Sequence, residues 1–302
     1  MGWHVLGAGS LGLLWAVRLA SAGAPPTLIL RNHHSLDSYA RAGGVRLARV
    51  PPGRFALPAQ TADAHEPIRR LILACKAYDA EAAIATIAHR LEPGAQVLLL
   101  QNGLGSQAAV ARLIPAARCI LLSSTEGAFR ESPFSVNFAG HGHNWLGDPG
   151  NPEPPDWLPE LDQAGIPWQW TPAILARQWH KLAVNCAINP LCTLYNCRNG
   201  GLLEHLDEVA GLCGELAGLL QRCAPGEPPG NLFEEVRQII LATADNHCSM
   251  LQDVQRRQRT EISYLLGFAC ARARENALHV PRLDALEGRL KQHLQTLGLP
   301  DV

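Results

Sequence analysis

Three glycines near residue 10 constrain the fold of this chain more than any other feature. Gly7-Ala8-Gly9-Ser10-Leu11-Gly12 has the spacing G-x-G-x-x-G, follows the apolar run Trp3-His4-Val5-Leu6, and opens a helical pattern from Leu11 to Ala22. A strand that turns through such glycines into a helix starts a βαβ unit. Gly7 permits the tight turn. Gly9 lets the backbone approach a pyrophosphate, and Gly12 lets helix and strand pack closely. The helix N-terminus adds unpaired N–H groups and the positive end of its dipole. Ala8, Ser10 and Leu11 complete this candidate dinucleotide loop; the alternative is a glycine-rich turn that binds nothing.

The rest of the N-terminal half supports the βαβ reading. Continuous apolar runs at Thr27–Leu30, Leu71–Cys75, Val97–Leu100 and Cys119–Leu122 alternate with helical patterns such as Ala80–Leu91. Strands of this kind belong to a parallel sheet covered on both faces. Gly43 to Pro58 reads as a small strand or a loop insertion, and Phe134 to Gly147 as a hairpin or as terminal strands of the same sheet. Residues 148–156 form a polar, proline-rich loop. A helix over Trp157–Gln163 and an edge strand near Trp168 follow, and the domain boundary is placed near Thr171-Pro172. Beyond it only helical patterns appear, at Ala173–Asn189, Leu202–Cys223, Leu232–Thr243, Ser249–Arg257, Glu261–Asn276 and Arg282–Leu297. Loops at Asn199-Gly200-Gly201 and from Pro225 to Gly230 separate them. The expected fold is α/β: a doubly wound parallel sheet over residues 1–170, then a second, all-helical domain over 171–302. A single crossing would join them and invite hinge closure.

Composition excludes several classes. The chain has 302 residues, 47% hydrophobic and 18% charged, which suffices for two packed domains. Its net charge of −1 and lack of a basic patch argue against nucleic acid, and RQWHK and QRRQR read as solvated helix faces. No apolar run is long enough to span a membrane. The apolar N-terminal stretch has no Lys or Arg before Arg18 and is interrupted by glycines, unlike a secretion signal. Nine cysteines without a C-x-x-C pair imply free thiols in a reducing compartment, so a cytoplasmic location is expected and no metal. His141 and His143 fit a turn or strand edge better than a ligand pair. The helical half shows no heptad seam, which leaves monomer or homodimer open.

Candidate chemistry lies at strand ends and on one helix. Arg31 stands where an NAD-binding chain would carry an acid after its second strand; Arg suits a 2′-phosphate and hence NADP, unless it is only a surface charge. Lys76 ends the third strand, and Gln101-Asn102-Gly103 the fourth; Lys76 and Asn102 can approach a cofactor, or be ordinary loop residues. In KLAVNCAINP, Lys181, Asn185 and Asn189 stand four apart on one helical face. Pro190 is expected to stop the helix and to bias Asn189 toward extended geometry. Such a row can hold an oxygen-rich small substrate and deliver a proton; a solvated face is the alternative. Reduction of a ketone needs a hydride at carbon and a proton at oxygen. A lysine near its usual pKa of ~10.4 would remain protonated without tuning.

These segments together resemble the ketopantoate reductase (2-dehydropantoate 2-reductase) family. The matching residues are GAGSLG at 7–12, Lys76, QNG at 101–103, KLAVNCAINPL at 181–191, SMLQD at 249–253 and TEI at 260–262. The resemblance implies an NADPH-dependent oxidoreductase of pantothenate biosynthesis that reduces ketopantoate, with a Rossmann-type domain, a helical domain and an active site in the cleft between them. It implies that Lys181 is the proton donor, that Glu261 is the active-site acid, and that Asn102, Asn185, Asn189 and Ser249 bind substrate. Arg31 then serves NADPH. Cys248 departs from the serine common at that position, and the proline-rich 149–159 segment has no match. Ser249-x-x-Gln252 also fits a helix capping box, and Thr260 an N-cap with Glu261 in its first turn. Rival readings are a reductase of another 2-oxo acid, a non-catalytic NADP-binding regulator, and an assembly surface.

Overall fold

The computed structural model describes residues 2–48, 52–140, 142–226 and 230–302. It divides into two units, one of residues 1–101 with 106–174, the other of residues 102–105 with 175–302. The chain therefore passes between units after Gln101, after Gly105 and after Ile174, where the sequence suggested a single crossing near Thr171.

In chain order the first unit contains β1 (His4–Leu6), α1 (Ser10–Ser21), β2 (Thr27–Leu30), α2 (His33–Ala42), β3 (Val45–Leu47), β4 (Gly53–Phe55), β5 (Ala59–Thr61) and β6 (Ile68–Leu73). It continues with α3 (Ala80–Ile87), β7 (Leu91–Leu99), α4 (Ser106–Leu113), β8 (Arg118–Ser124), β9 (Gly127–Ser132), β10 (Ser135–Gly140), β11 (Asn144–Gly147), α5 (Leu158–Gln163) and β12 (Trp168–Trp170). The main sheet has the order β12-β11-β8-β7-β6-β1-β2-β5. From β5 to β8 every pairing is parallel, with Leu6 opposite both Ile29 and Leu73. The central residues Ile72, Leu73, Leu98 and Leu99 are fully buried, as strands covered on both faces require. The order reverses at β1: the chain runs outward to β2 and β5, then returns to β6 on β1's other side. Ligands of open α/β sheets bind at the carboxyl ends of strands at such a switch point.

Phe134 to Gly147 resolves into both alternatives at once. β11 joins the main sheet antiparallel to β8, whereas β10 pairs with β9 as a hairpin of a second sheet, ordered β4-β3-β10-β9. Strands β3 and β4 come from the stretch between Gly43 and Pro58; residues 49–51 of that stretch lie outside the described residues. Val45 and Leu47 are buried and Arg46 is exposed, the alternation of a one-sided sheet. The buried face serves α1, which touches β1 as well as β3, β9 and β10. Leu13, Leu14, Trp15, Ala16 and Val17 are consequently all buried, and the helix is apolar nearly all round. The Trp15 indole and the Arg18 guanidinium both donate to Glu126, a buried acid that precedes β9. The proline-rich loop is also tied down: Arg118 Nε donates to Asp148 at 2.8 Å and Trp170 Nε1 to the Pro152 carbonyl at 2.7 Å.

All regular elements of the second unit, among the described residues, are helical: α6 (Ile174–Leu194, starting at the unit boundary), α7 (Leu206–Cys223), α8 (Leu232–Ala242), α9 (Ser249–Gln255), α10 (Leu266–Glu275) and α11 (Pro281–Thr296). Asn199-Gly200-Gly201, expected as a loop, opens a 3₁₀ helix over Asn199–His205 in which Gly200 approaches Ala244, and that helix takes up the first residues of the helix expected from Leu202; the loop from Pro225 to Gly230 lies partly outside the described residues.

One local rule fails. Pro190 does not stop α6, which continues to Leu194. An internal proline costs about 3 kcal/mol. Leu191, Cys192 and Thr193 are each at most 1% exposed, and burying that last turn in the helical core outweighs the penalty. Asn189 is therefore helical, not extended. All nine cysteines are free thiols, and no helix among the described residues is long and apolar enough to cross a membrane.

Candidate active site

In the first unit, Gly7 to Gly12 link β1 to α1 at the switch point. Gly7 has φ +108°, and a Cβ there would come within 2.6 Å of the Cys75 nitrogen. A Cβ on Gly9 would lie 2.8 Å from the Ala74 carbonyl oxygen, and one on Gly12 would lie 2.5 Å from the Gly7 oxygen. All three positions thus require glycine for packing against the end of β6, whether or not a ligand approaches. Gly9 caps α1 without a side chain, and no acid occurs in the first turn. The helix end keeps its positive character, so the loop fits a phosphate.

Two cationic side chains follow the strands that pair with β1 on either side, β2 and β6. Arg31 follows β2 with 76% of its side chain exposed and donates to Asp79 at 2.9 Å. Lys76, half-buried, follows β6 and leads into the 3₁₀ turn Ala77–Asp79. Gln101 Nε2 donates to the Leu73 carbonyl at 2.8 Å and so pins the end of β7 to that of β6.

The second unit assembles the candidate catalytic groups. Asn102, though only three residues beyond β7, belongs to this unit. The short segment 102–105 is held there by a Leu104 N–H bond to the Tyr264 carbonyl at 2.9 Å and by the buried Leu104 side chain, part of the helical core. Lys181 Nζ on α6 donates to Asn102 Oδ1 at 2.9 Å. Asn185 and Asn189 follow at one-turn intervals on the same helix; Asn189 is 5% exposed and Asn185 half-buried. Glu261, also 5% exposed, precedes the 3₁₀ turn Ile262–Tyr264, and its carboxylate acts on Lys181 electrostatically.

Lys181 is not an untuned lysine. Burial pushes its ammonium down to about 8, while the charge of Glu261 pulls the other way. Sequence could not register this, because the shift comes from surroundings that only the fold provides. The proton on Lys181 is present below pH 8 and lost above it. If this proton is delivered in the reaction, kcat/KM should be level below that pH and fall about tenfold per unit above it. Glu261→Gln removes the opposing charge, so its alkaline limb should move to lower pH. An unchanged limb would separate Glu261 from Lys181.

Ser249 is the exposed first residue of α9, and the capping-box reading is corrected. The cap is Cys248, whose Sγ accepts from the Leu251 N–H at 3.4 Å, while Gln252 Nε2 donates to the His247 carbonyl. Cys248 has extended backbone and Ser249 is already helical, so the motif is displaced by one residue. The Cys248 thiol also donates to the Asn189 carbonyl at 3.6 Å and joins the α9 N-terminus to α6. Its role was missed because sulfur is an uncommon cap. Thr260 is likewise no N-cap: its buried hydroxyl has no hydrogen-bond partner. His143 stacks edge-on against Trp145 just before β11, and His141 lies outside the described residues. Cys270, Asp284 and Glu287 approach one another, but Arg274 and Lys291 already pair with the two acids.

The chain was compared with known proteins. The family model "Ketopantoate reductase PanE/ApbA" matches residues 3–151, and its C-terminal counterpart matches residues 173–294. The 2-dehydropantoate 2-reductase of Salmonella typhi is 32% identical over 297 residues, covering 95% of this chain and 93% of its own. That of Halobacterium salinarum is 30% identical over 303 residues, covering 93% and 95%. A solved PanE/ApbA family ketopantoate reductase from Ralstonia eutropha has a TM-score of 0.89 at 21% identity, covering 99% of this chain and all of that one. D-mandelate dehydrogenase, solved with NADH and anilino(oxo)acetate, shares the fold with a TM-score of 0.88 at 19% identity over 99% of this chain and 100% of its own. With both models matched and relatives of that similarity spanning nearly its whole length, the chain belongs to the ketopantoate reductase PanE/ApbA family.

Proposed function

We propose that this chain reduces 2-dehydropantoate to pantoate with NADPH, and that Lys181 donates the proton. The Lys181–Asn102 bond, with Glu261 acting on the same ammonium, carries this reading. A cationic donor of suitable acidity beside the Asn102 carboxamide, in an oxidoreductase family, supports it. NADPH, when bound, supplies the hydride. Lys181 supplies the proton to the ketone oxygen, and its charge stabilises the alkoxide as it develops. Asn102 holds the ammonium in one orientation. Asn185, Asn189 and Ser249 bind the hydroxyl and carboxylate of the substrate, and Cys248 keeps Ser249 in register with Asn189. The glycine loop takes the pyrophosphate, with Lys76 and Asn102 as further cofactor contacts and Arg31 at the 2′-phosphate. Residues 1–170 are read as the NADP-binding domain and 171–302 as the catalytic one.

The test is NADPH oxidation with 2-dehydropantoate beside a panel of other 2-oxo acids. Selective turnover of 2-dehydropantoate is expected, and turnover only with another 2-oxo acid would overturn the substrate assignment. The cofactor is tested separately. Arg31→Ala should weaken NADPH roughly tenfold and NADH little. Asp79, the present partner of Arg31, competes with a 2′-phosphate, so Asp79→Asn should tighten NADPH about twofold to fivefold. Equal effects on both dinucleotides would remove Arg31 from the 2′-phosphate.

A further inference from the structure

Arg130 lies on β9 of the small sheet, far in sequence from the glycine loop. Its Nη1 nevertheless donates to the Ala8 carbonyl oxygen at 3.0 Å, and the side chain is half-buried. Ala8 stands between the two glycines at the turn from β1 into α1. In a trans peptide the C=O of one residue and the N–H of the next point in opposite directions from one rigid plane. A guanidinium that fixes the Ala8 carbonyl therefore also fixes the Gly9 N–H, directed the opposite way. Gly7 and Gly9 leave this peptide little intrinsic preference, since glycine restricts neither φ nor ψ strongly. A loop that must present N–H groups to an anion needs an external restraint, and Arg130 supplies one. The guanidinium also brings a permanent positive charge to a helix end that has no acid in its first turn.

We infer that Arg130 is a positioning residue for dinucleotide binding, holding the Ala8–Gly9 peptide in the orientation that receives the pyrophosphate. It acts on the part that NADPH and NADH have in common, whereas Arg31 acts where they differ. The inference rests on the dinucleotide reading of the glycine loop proposed above. It explains why β9 and β10 pack over α1 in a unit whose main sheet already covers the other side of that helix.

The experiment is titration of the full chain with NADPH and with NADH, followed by tryptophan fluorescence or calorimetry, for wild type, Arg130→Met, Arg130→Gln and Arg31→Ala. In Arg130→Met both dissociation constants should rise by the same factor, roughly tenfold. Arg130→Gln keeps a neutral donor to Ala8 and should lose less, which also provides a reading if the Met variant folds poorly. In steady state the loss should appear mainly in the KM for NADPH, with kcat at saturating cofactor affected far less. Unchanged dissociation constants in both Arg130 variants would overturn the inference. So would a loss confined to NADPH, or a parallel fall of kcat at saturation that marks general damage. Failure of the wild type to bind either dinucleotide would sink the dinucleotide reading itself, an outcome distinct from wild-type binding with insensitive variants.

Discussion

Lys181→Ala should lower kcat for 2-dehydropantoate roughly a thousandfold, while the dissociation constant for NADPH stays close to wild type. Two losses combine. The variant has no proton to give to the ketone oxygen, and no cation beside the alkoxide as it forms. The second loss is aggravated by burial, because an alkoxide in a poorly solvated site lacks the water that would otherwise stabilise it. Folding should survive, since the ammonium is itself held against the preference of its surroundings: burial pushes it down to about 8. Removing it relieves that penalty and leaves the Asn102 amide to be satisfied by solvent. Single-turnover kinetics with saturating NADPH, together with a thermal melt, check this. A kcat within a few fold of wild type would defeat the general-acid assignment. Lys181→Arg is the informative companion. It keeps the charge but holds its proton too tightly, so it should recover little of the turnover.

Gly103→Ala should be the more damaging change to the fold, although it adds one methyl group. Gly103 has φ +77°, and a Cβ there would sit 2.1 Å from the Tyr264 carbonyl oxygen. That oxygen accepts the Leu104 N–H, so the clash falls on the bond that holds the segment in place. The strained φ and the forced shift together should cost about 2–4 kcal/mol of stability. Asn102 is the neighbouring residue, and its bond to Lys181 is set by the same docking. A displacement of about 1 Å suffices to lower catalysis by roughly a hundredfold. The expected result is a lower melting temperature and a kcat loss larger than that of Asn102→Ala, because the latter leaves the segment docked. A Gly103→Ala variant with normal kcat would show that the segment does not position Asn102.

The sequence made some of this legible and not the rest, for identifiable reasons. Strands such as Leu71–Leu73 and Val97–Leu99 announce themselves because burial on both faces leaves an unbroken apolar run, and runs are local. The small sheet does not. β3 pairs in parallel with β10, its partner arriving after six intervening strands of the chain, and three-residue strands carry no sign of what they pair with. The Lys181, Asn185, Asn189 row follows from helical spacing alone. Its link to Asn102, a separation of 79 residues, does not, nor does the greater acidity that burial gives the ammonium against the opposing charge of Glu261. Pro190 was misread because a rule about isolated helices was applied where three buried residues beyond it hold the turn closed. The Ser249 motif was misread by one position, since only the backbone angles distinguish a cap from a first helical residue.

The small excursion of residues 102–105 limits how far this protein can be taken apart. A cut near residue 170 looks like a natural seam, and a fragment beginning there would retain every long helix of the second unit. It would lack the Asn102 carboxamide that Lys181 bonds, and the Leu104 side chain that helps fill the helical core. Chimeras that exchange halves with a relative at that seam would take Lys181 from one parent and the amide it bonds from the other. Such hybrids should be compatible only where the docking surface for these four residues matches. The two units are thus not interchangeable modules, and inheritance of one without the other would leave Lys181 without its Asn102 partner.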